Sequence, residues 1–293
     1  MYRLLAAAAL TIAVPAAAAA SPAPAVADSP AKPAVHKFKV GTLDGFTLFD
    51  ATNKLPNDGK VLGIDEGPAK VGAVLTAAGV PADPIRLDIN VLVLRGGGRT
   101  MMFDTGNGAA RKGRMLESLA LAGIAPGSVT DIFITHGHGD HVGGLVDADG
   151  KPVFPNARIH MTAAERASLK PASPVTAVAG QVATFAPGAT VVPGVVAVEL
   201  RGHTPGHTGY LVTSGRAKLL VIGDAAHQYI VSVRQPEYTI AFDGDPAVAE
   251  PTRRALLKRA VDEKLTLYAQ HFPFPGVGTI RPEGDGYAWV PVR

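Results

Sequence analysis

The stretch Thr135-His136-Gly137-His138-Gly139-Asp140-His141-Val142-Gly143-Gly144 decides how this chain is read. It sets three imidazoles and a carboxylate within six positions, directly after the apolar run Ile132 to Ile134, which predicts a buried strand. At a strand end the side-chain period of two puts His136 and His138 on the same side. The intervening glycines let the backbone fold tightly, so that the donors can converge on one point, as a divalent cation requires. Histidine clusters also occur in solvated, tag-like tracts. Such a tract has no reason to follow a buried strand.

Three later pieces supply further donors in the same kind of place. Arg201-Gly202-His203-Thr204-Pro205-Gly206-His207-Thr208 follows an apolar run from Val195 to Leu200, Ile222-Gly223-Asp224 ends another, and Ala269-Gln270-His271 ends a third. Neighbouring strands of a sheet present their ends along a common edge, so residues far apart in sequence can meet there. Five histidines and two aspartates suffice for two ions.

Between these pieces the chain alternates strand and helix signals. Val40 to Phe49 and Asp88 to Leu94 read as strands, and Gly96-Gly97-Gly98 as a hairpin turn into a strand from Thr100 to Asp104. Arg114 to Ala122 has helical spacing and stops at Gly123. Ile159 to Met161 is a short strand, and Thr162-Ala163-Ala164-Glu165 resembles a capping box that opens a helix. Val191-Val192, Val195 to Leu200, Tyr210 to Thr213 and Leu219 to Ile222 are further strands, and Arg253 to Leu265 carries an apolar helical stripe. Layers of helix over sheet follow.

Composition bounds the rest. A chain of 293 residues that is 47% hydrophobic can bury a large core, and its 33 glycines and 24 prolines suit short strands joined by tight loops in one main domain. Residues 1–27 read as a secretion signal: one positive charge in Met1-Tyr2-Arg3, an apolar stretch from Leu4 to Val14, and small residues suited to cleavage after residue 20 or 27. Residues 28–36 read as a disordered lead-in and residues 37–293 as the folded domain, periplasmic or secreted, with no stable membrane span once the signal is removed. With no cysteine, neither a disulfide nor a thiolate ligand is available. The net charge of +3 is spread thinly and leaves no nucleic-acid footprint. The small basic groups Arg111-Lys112-Gly113-Arg114 and Arg253-Arg254 read as solvated helix faces.

Taken in order, HGHGDH, the GHTPGHT loop, the Gly-Asp pair and a late histidine resemble the metallo-β-lactamase superfamily from about Lys37 to the end. The tail His271-Phe272-Pro273-Phe274-Pro275-Gly276 through Trp289 is similar to the branch of methyl parathion hydrolase and exported lactonases and esterases. The resemblance implies an α/β fold, an αββα four-layer sandwich. It implies two divalent metal ions, zinc first, with manganese, iron and cobalt also suited to such ligands. His136, His138 and His203 resemble the ligands of one ion, and Asp140, His141 and His271 those of the other, with Asp224 bridging. Asp104 and His207 then fall behind the ligands, while His36, His160 and His227 match no motif and read as linker, core or loop residues, with His227, three positions past Asp224, also placed to face the cleft.

A pair of ions about 3.5 to 4 Å apart that share one water lowers its pKa towards about 7. The expected activity is therefore attack of a bridging hydroxide, oriented by Asp140, on a small-molecule ester, lactone or phosphotriester. A homodimer is compatible with this. Two alternatives share the fold: a β-lactamase-like amide hydrolase, disfavoured by Asp224 because members dedicated to β-lactams lack the bridging aspartate, and a non-catalytic metal-binding protein. An iron oxidoreductase would need a flavin domain that is missing. Asp104-Thr105-Gly106 resembles half of an aspartic-protease site, but that chemistry needs two such carboxylates. Gly96-Gly97-Gly98 lacks the Lys-Ser/Thr of a phosphate loop.

Overall fold

The computed structural model describes residues 28–292; the secretion signal expected over residues 1–27 lies outside them. Two seven-stranded sheets form among the described residues. In spatial order the first contains β1 (Val35–Val40), β2 (Leu43–Leu55), β3 (Ile85–Gly96), β4 (Arg99–Phe103), β5 (Asp131–Phe133), β6 (Arg158–Thr162) and β7 (Val182–Phe185). The pairs from β1 to β4 are antiparallel and those from β4 to β7 parallel. The second contains β8 (Thr190–Val192), β9 (Val195–Glu199), β10 (Thr208–Ser214), β11 (Ala217–Val221), β12 (Thr266–Tyr268), β13 (Val277–Glu283) and β14 (Gly286–Pro291). It is antiparallel except between β11 and β12.

Alternation along single strands creates the layers. Met101 and Phe103 of β4 and Phe133 of β5 point to the space between the sheets, where they meet Tyr210, Val212, Leu219, Val221 and Tyr268. Their neighbours Met102 and Ile132 point outward and are covered by Met115, Leu119, Val142 and Val175. Those four come from α2 (Met115–Leu121), α3 (Gly139–Val142) and α5 (Pro174–Ala177), with α4 (Ala163–Ser168) beside them. On the far side Leu220 and Leu267 pack against α1 (Pro68–Ala77), α6 (Val231–Arg234) and α7 (Pro246–Asp262). Three apolar interfaces therefore separate four layers: helix, sheet, sheet, helix. This is the αββα sandwich.

Three expectations are corrected. The single strand read from Val40 to Phe49 is two strands, because Gly41, at φ +58, opens a two-residue turn that pairs Val40 with Leu43. The lead-in over residues 28–36 is not loose, since Val35 and His36 already pair with Leu48 and Thr47, and the Ser29 hydroxyl donates to Asp88 at 2.5 Å. Arg253 is not on a solvated face: it shares the stripe of Leu256, Leu257 and Ala260 and is fully buried.

Candidate metal centre

The strand ends converge where the two sheets meet. Thr208 N–H donates to Thr135 O at 3.0 Å, and the buried Tyr210 hydroxyl donates to Ile134 O at 2.6 Å, so the segment after β5 is tied to β10 of the opposite sheet. His136, His138, Asp140 and His141 follow β5, His203 follows β9, Asp224 follows β11 and His271 follows β12.

These seven side chains meet as two sets. In the first, His136 Nε2, His138 Nδ1 and His203 Nε2 lie 3.0 to 3.1 Å from one another. In the second, His271 Nε2 is 3.5 Å and His141 Nε2 3.9 Å from Asp140 Oδ2. Asp224 lies between them. Its Oδ2 is 3.4 and 3.7 Å from the Nε2 atoms of His203 and His136, and its Oδ1 is 3.1 and 3.2 Å from those of His141 and His271. Ligand nitrogens about 2.0–2.1 Å from a tetrahedral cation stand about 3.3 Å apart, close to the spacing of the first set. Three ring nitrogens facing one another in a mostly buried site fit a cation at their centre better than they fit one another.

The surrounding groups fix each ring. Asp104, at φ +57, accepts from Thr135 N–H and hydroxyl at 2.8 Å each and holds His141 Nδ1 at 2.9 Å. His203 Nδ1 faces Asp243 Oδ1 at 3.0 Å, and His271 Nδ1 donates to Asp88 O at 3.0 Å. Each contact leaves Nε2 free to face inward. His207 has no free nitrogen: Nδ1 donates to Leu200 O at 2.8 Å, and Nε2 accepts from Asp224 N–H at 2.9 Å. It therefore holds Asp224 in place.

Glu165 matches its capping-box signature only in part. Thr162 Oγ1 accepts from Glu165 N–H at 3.1 Å, but the buried carboxylate reaches across to Gly137 N–H at 2.8 Å, the Thr204 hydroxyl at 2.6 Å and Gly206 N–H at 3.0 Å. It clamps the loop of His136 and His138 to the loop of His203. His160 is a core residue, stacked on Phe133 at 4.9 Å with Nε2 2.9 Å from Asp131 Oδ1.

The electrostatics of the two sets differ. Burial pushes His136 well below the usual histidine range, lowers His138, and brings His203 down to about 4. Burial acts on His141 and His271 too, but Asp224 and Asp140 outweigh it at both, joined by Asp104 at His141, so both are raised, His141 strongly. The carboxyl of Asp224 is held well below its ordinary value, burial being overcome by His141, His271, His136 and His227. A cation must therefore compete with protons at His141 and His271 at a higher pH than at His136, His138 and His203. As pH falls from 8 to 6 the second set is expected to lose zinc affinity before the first. Chelator-competition titrations at pH 8 and 6 check this order; simultaneous loss of both equivalents would contradict it.

A cavity of about 350 Å³ is lined by four of the seven donors, His138, Asp140, Asp224 and His271, and lies within the size range of small-molecule sites. Leu55, Leu87 and Phe242 form its apolar walls. It adjoins a second cavity of about 640 Å³ that shares Arg111, His138, Gly139 and Phe242 with it. Arg111, expected on a merely solvated face, thus stands at the mouth of both. His227 was missed by motif. It is buried and lines the first cavity, its ring lies 5.0 Å from that of His203 and 5.7 Å from that of His271, and its Nε2 stands 3.1 Å from Asp224 Oδ2. The faint signal was its position three residues after Asp224.

A profile of the Metallo-beta-lactamase superfamily matches residues 84–271. The chain belongs to the metallo-beta-lactamase superfamily. Among solved members, AidC, described as a dizinc quorum-quenching lactonase in complex with a homoserine product, is 27% identical with a TM-score of 0.83 over 89% of this chain and 98% of that one. The hydrolase AbOPH is 26% identical with a TM-score of 0.81 over 88% and 97%. Among curated relatives, ribonuclease Z of Methanothermobacter thermautotrophicus is 48% identical over 54 residues, which is 18% of this chain and 16% of that protein. The metallo-beta-lactamase domain-containing protein 1 of Rattus norvegicus is 49% identical over 45 residues, 15% of this chain and 18% of that protein. The chain thus matches less than a fifth of the length of these two curated relatives. Within the superfamily the paired His/Asp sets are a site able to hold two cations.

Proposed function

We propose that this protein is an exported two-metal hydrolase of small lactones and aryl esters, with phosphotriesters as secondary substrates, in the branch that includes methyl parathion hydrolase. The observation that carries this is Asp224, one carboxylate facing both donor sets beneath an apolar-walled cavity. The likeness to a dizinc lactonase over nearly its whole length supports it. Zinc is the proposed metal.

When bound, the two ions supply an acidified water as nucleophile and polarise the carbonyl or phosphoryl oxygen. The protein's own groups do the positioning. Asp140, partly open to the cavity, accepts a hydrogen bond from the attacking water and aligns it. His227, with Nε2 3.1 Å from Asp224 Oδ2, steadies the carboxylate that faces both donor sets. Leu55, Leu87 and Phe242 exclude water from the apolar part of the substrate.

The test is elemental analysis of the purified protein followed by a panel of lactones, nitrophenyl esters and phosphotriesters. Two metals per chain and turnover of lactones or aryl esters are expected, and a fully metal-loaded protein inert across the panel would overturn the assignment. His227→Ala is expected to lower kcat/KM on this panel by about 10- to 100-fold, the usual scale for a group behind a ligand, and an unchanged kcat/KM would remove it from the site.

A further inference from the structure

Among the fully buried side chains of the described residues, the largest is a cation that the site does not visibly use: Arg253, on the outer helix α7. A guanidinium out of water must find acceptors and a counter-charge. Arg253 finds both within the loops of the metal centre. Its Nη2 donates to Asp243 Oδ2 at 2.5 Å, and the other oxygen of that carboxylate faces His203 Nδ1 at 3.0 Å. Its Nε donates at 2.8 Å to the carbonyl of Ala225, the residue next to Asp224. Its Nη1 donates to Pro236 O at 2.8 Å and to Tyr238 O at 3.4 Å, fixing the chain that leads back to Asp243. Backbone bonds from Gly244 N–H to His203 O at 3.0 Å and from Asp245 N–H to Gly202 O at 2.8 Å lock the Asp243 segment against the His203 loop.

We propose that Arg253 is a positioning residue for the metal centre: a single guanidinium sets the ring of His203 through Asp243 and the loop of Asp224 through Ala225 O. The fork geometry is what makes this work. Nε and Nη2 serve two loops at once, while a lysine ammonium on one flexible stem cannot hold the same two acceptors in a fixed plane. Asp243 keeps the proton of His203 on Nδ1 and so leaves Nε2 to face His136 and His138. The second set is held by other groups, Asp104 behind His141 and Asp88 O behind His271. Arg253 therefore acts on one ion more than on the other.

This rests on the two-cation assignment of the seven donors, and not on any substrate. The experiment is zinc binding to R253K and D243N at pH 7.5, read by competition with a chromophoric chelator, with ¹⁵N-histidine spectra reporting which imidazoles each equivalent engages. The amide that D243N introduces can serve His203 or Arg253 but not both, because its nitrogen donates where Arg253 already donates. Both variants are expected to weaken the equivalent at His136, His138 and His203 by about 10- to 100-fold, the usual scale for groups behind a ligand; D243N leaves the other within about threefold, and R253K, which also loosens the Asp224 loop, weakens it by less than the first. Equal weakening of both equivalents in step with a lowered melting temperature, or no weakening of either, would overturn the proposal. The zinc-loaded wild type gives a reading that needs no variant: His203 is expected as the Nδ1–H tautomer, and an Nε2–H tautomer defeats the relay. A wild type that takes up no zinc defeats the two-cation assignment and this proposal with it, whereas two tight equivalents in the wild type with unaltered variants defeat this proposal alone.

Discussion

Asp224→Ala is expected to strip the protein of at least one metal ion and to lower hydrolysis by more than about 10³-fold, equivalent to about 4 kcal/mol of transition-state stabilisation. Asp224 is 3% exposed and has one oxygen towards each donor set. Without it the first set is three neutral imidazoles and the second has only Asp140 as an anion. Two dications held close together repel one another, and the carboxylate between them is the nearest compensating charge. The loss should also appear without metal. His141 and His271 owe their raised pKa values largely to Asp224, so both should fall in the variant, which NMR titration of the metal-free protein can follow. A variant with two zinc ions and near wild-type kcat/KM would remove Asp224 from the centre of the mechanism.

Chelation is expected to produce the largest change in stability. The chain has no cysteine, so no disulfide constrains it, and the seven donors bring Asp224, Asp140 and five imidazoles together mostly away from water. A ligand present at a thousand times its Kd stabilises the folded state by about 4 kcal/mol. Two such ions contribute about 8 kcal/mol, and at about 2–4 °C per kcal/mol for a domain approaching this size the melting temperature should fall by roughly 15–30 °C. Circular-dichroism melts at pH 7.5, zinc-loaded and after treatment with a strong chelator, measure it. A fall of only a few degrees would mean that the donors do not grip cations tightly.

Much of the candidate site was legible because several donors closely follow an apolar run beside small or turn-forming residues. His136, His203, Asp224 and His271 all stand in that relation to β5, β9, β11 and β12. The four-layer fold was legible for the same reason, since the period-two pattern of β4 and β11 divides each strand between two apolar interfaces. What sequence could not give was the path of the loops. His227 lines the cavity from the loop after Asp224, and its place three residues past that aspartate was the one hint of this. Glu165 looked like a local cap because its partners Gly137, Thr204 and Gly206 come from other elements. Arg253 is a different case. Its spacing to Leu256, Leu257 and Ala260 already placed a charge on the buried stripe, a signal outweighed by the habit of assigning arginine to the surface.

The two sheets are consecutive in the chain, the first complete by Phe185 and the second starting at Thr190. Each donor set nonetheless draws on both: His136 and His138 need His203, and Asp140 and His141 need His271. Neither half can capture an ion by itself, so every bound cation is a rivet driven through the seam. Metal uptake at this site would then wait until the chain through His271 has emerged and the two sheets have packed together.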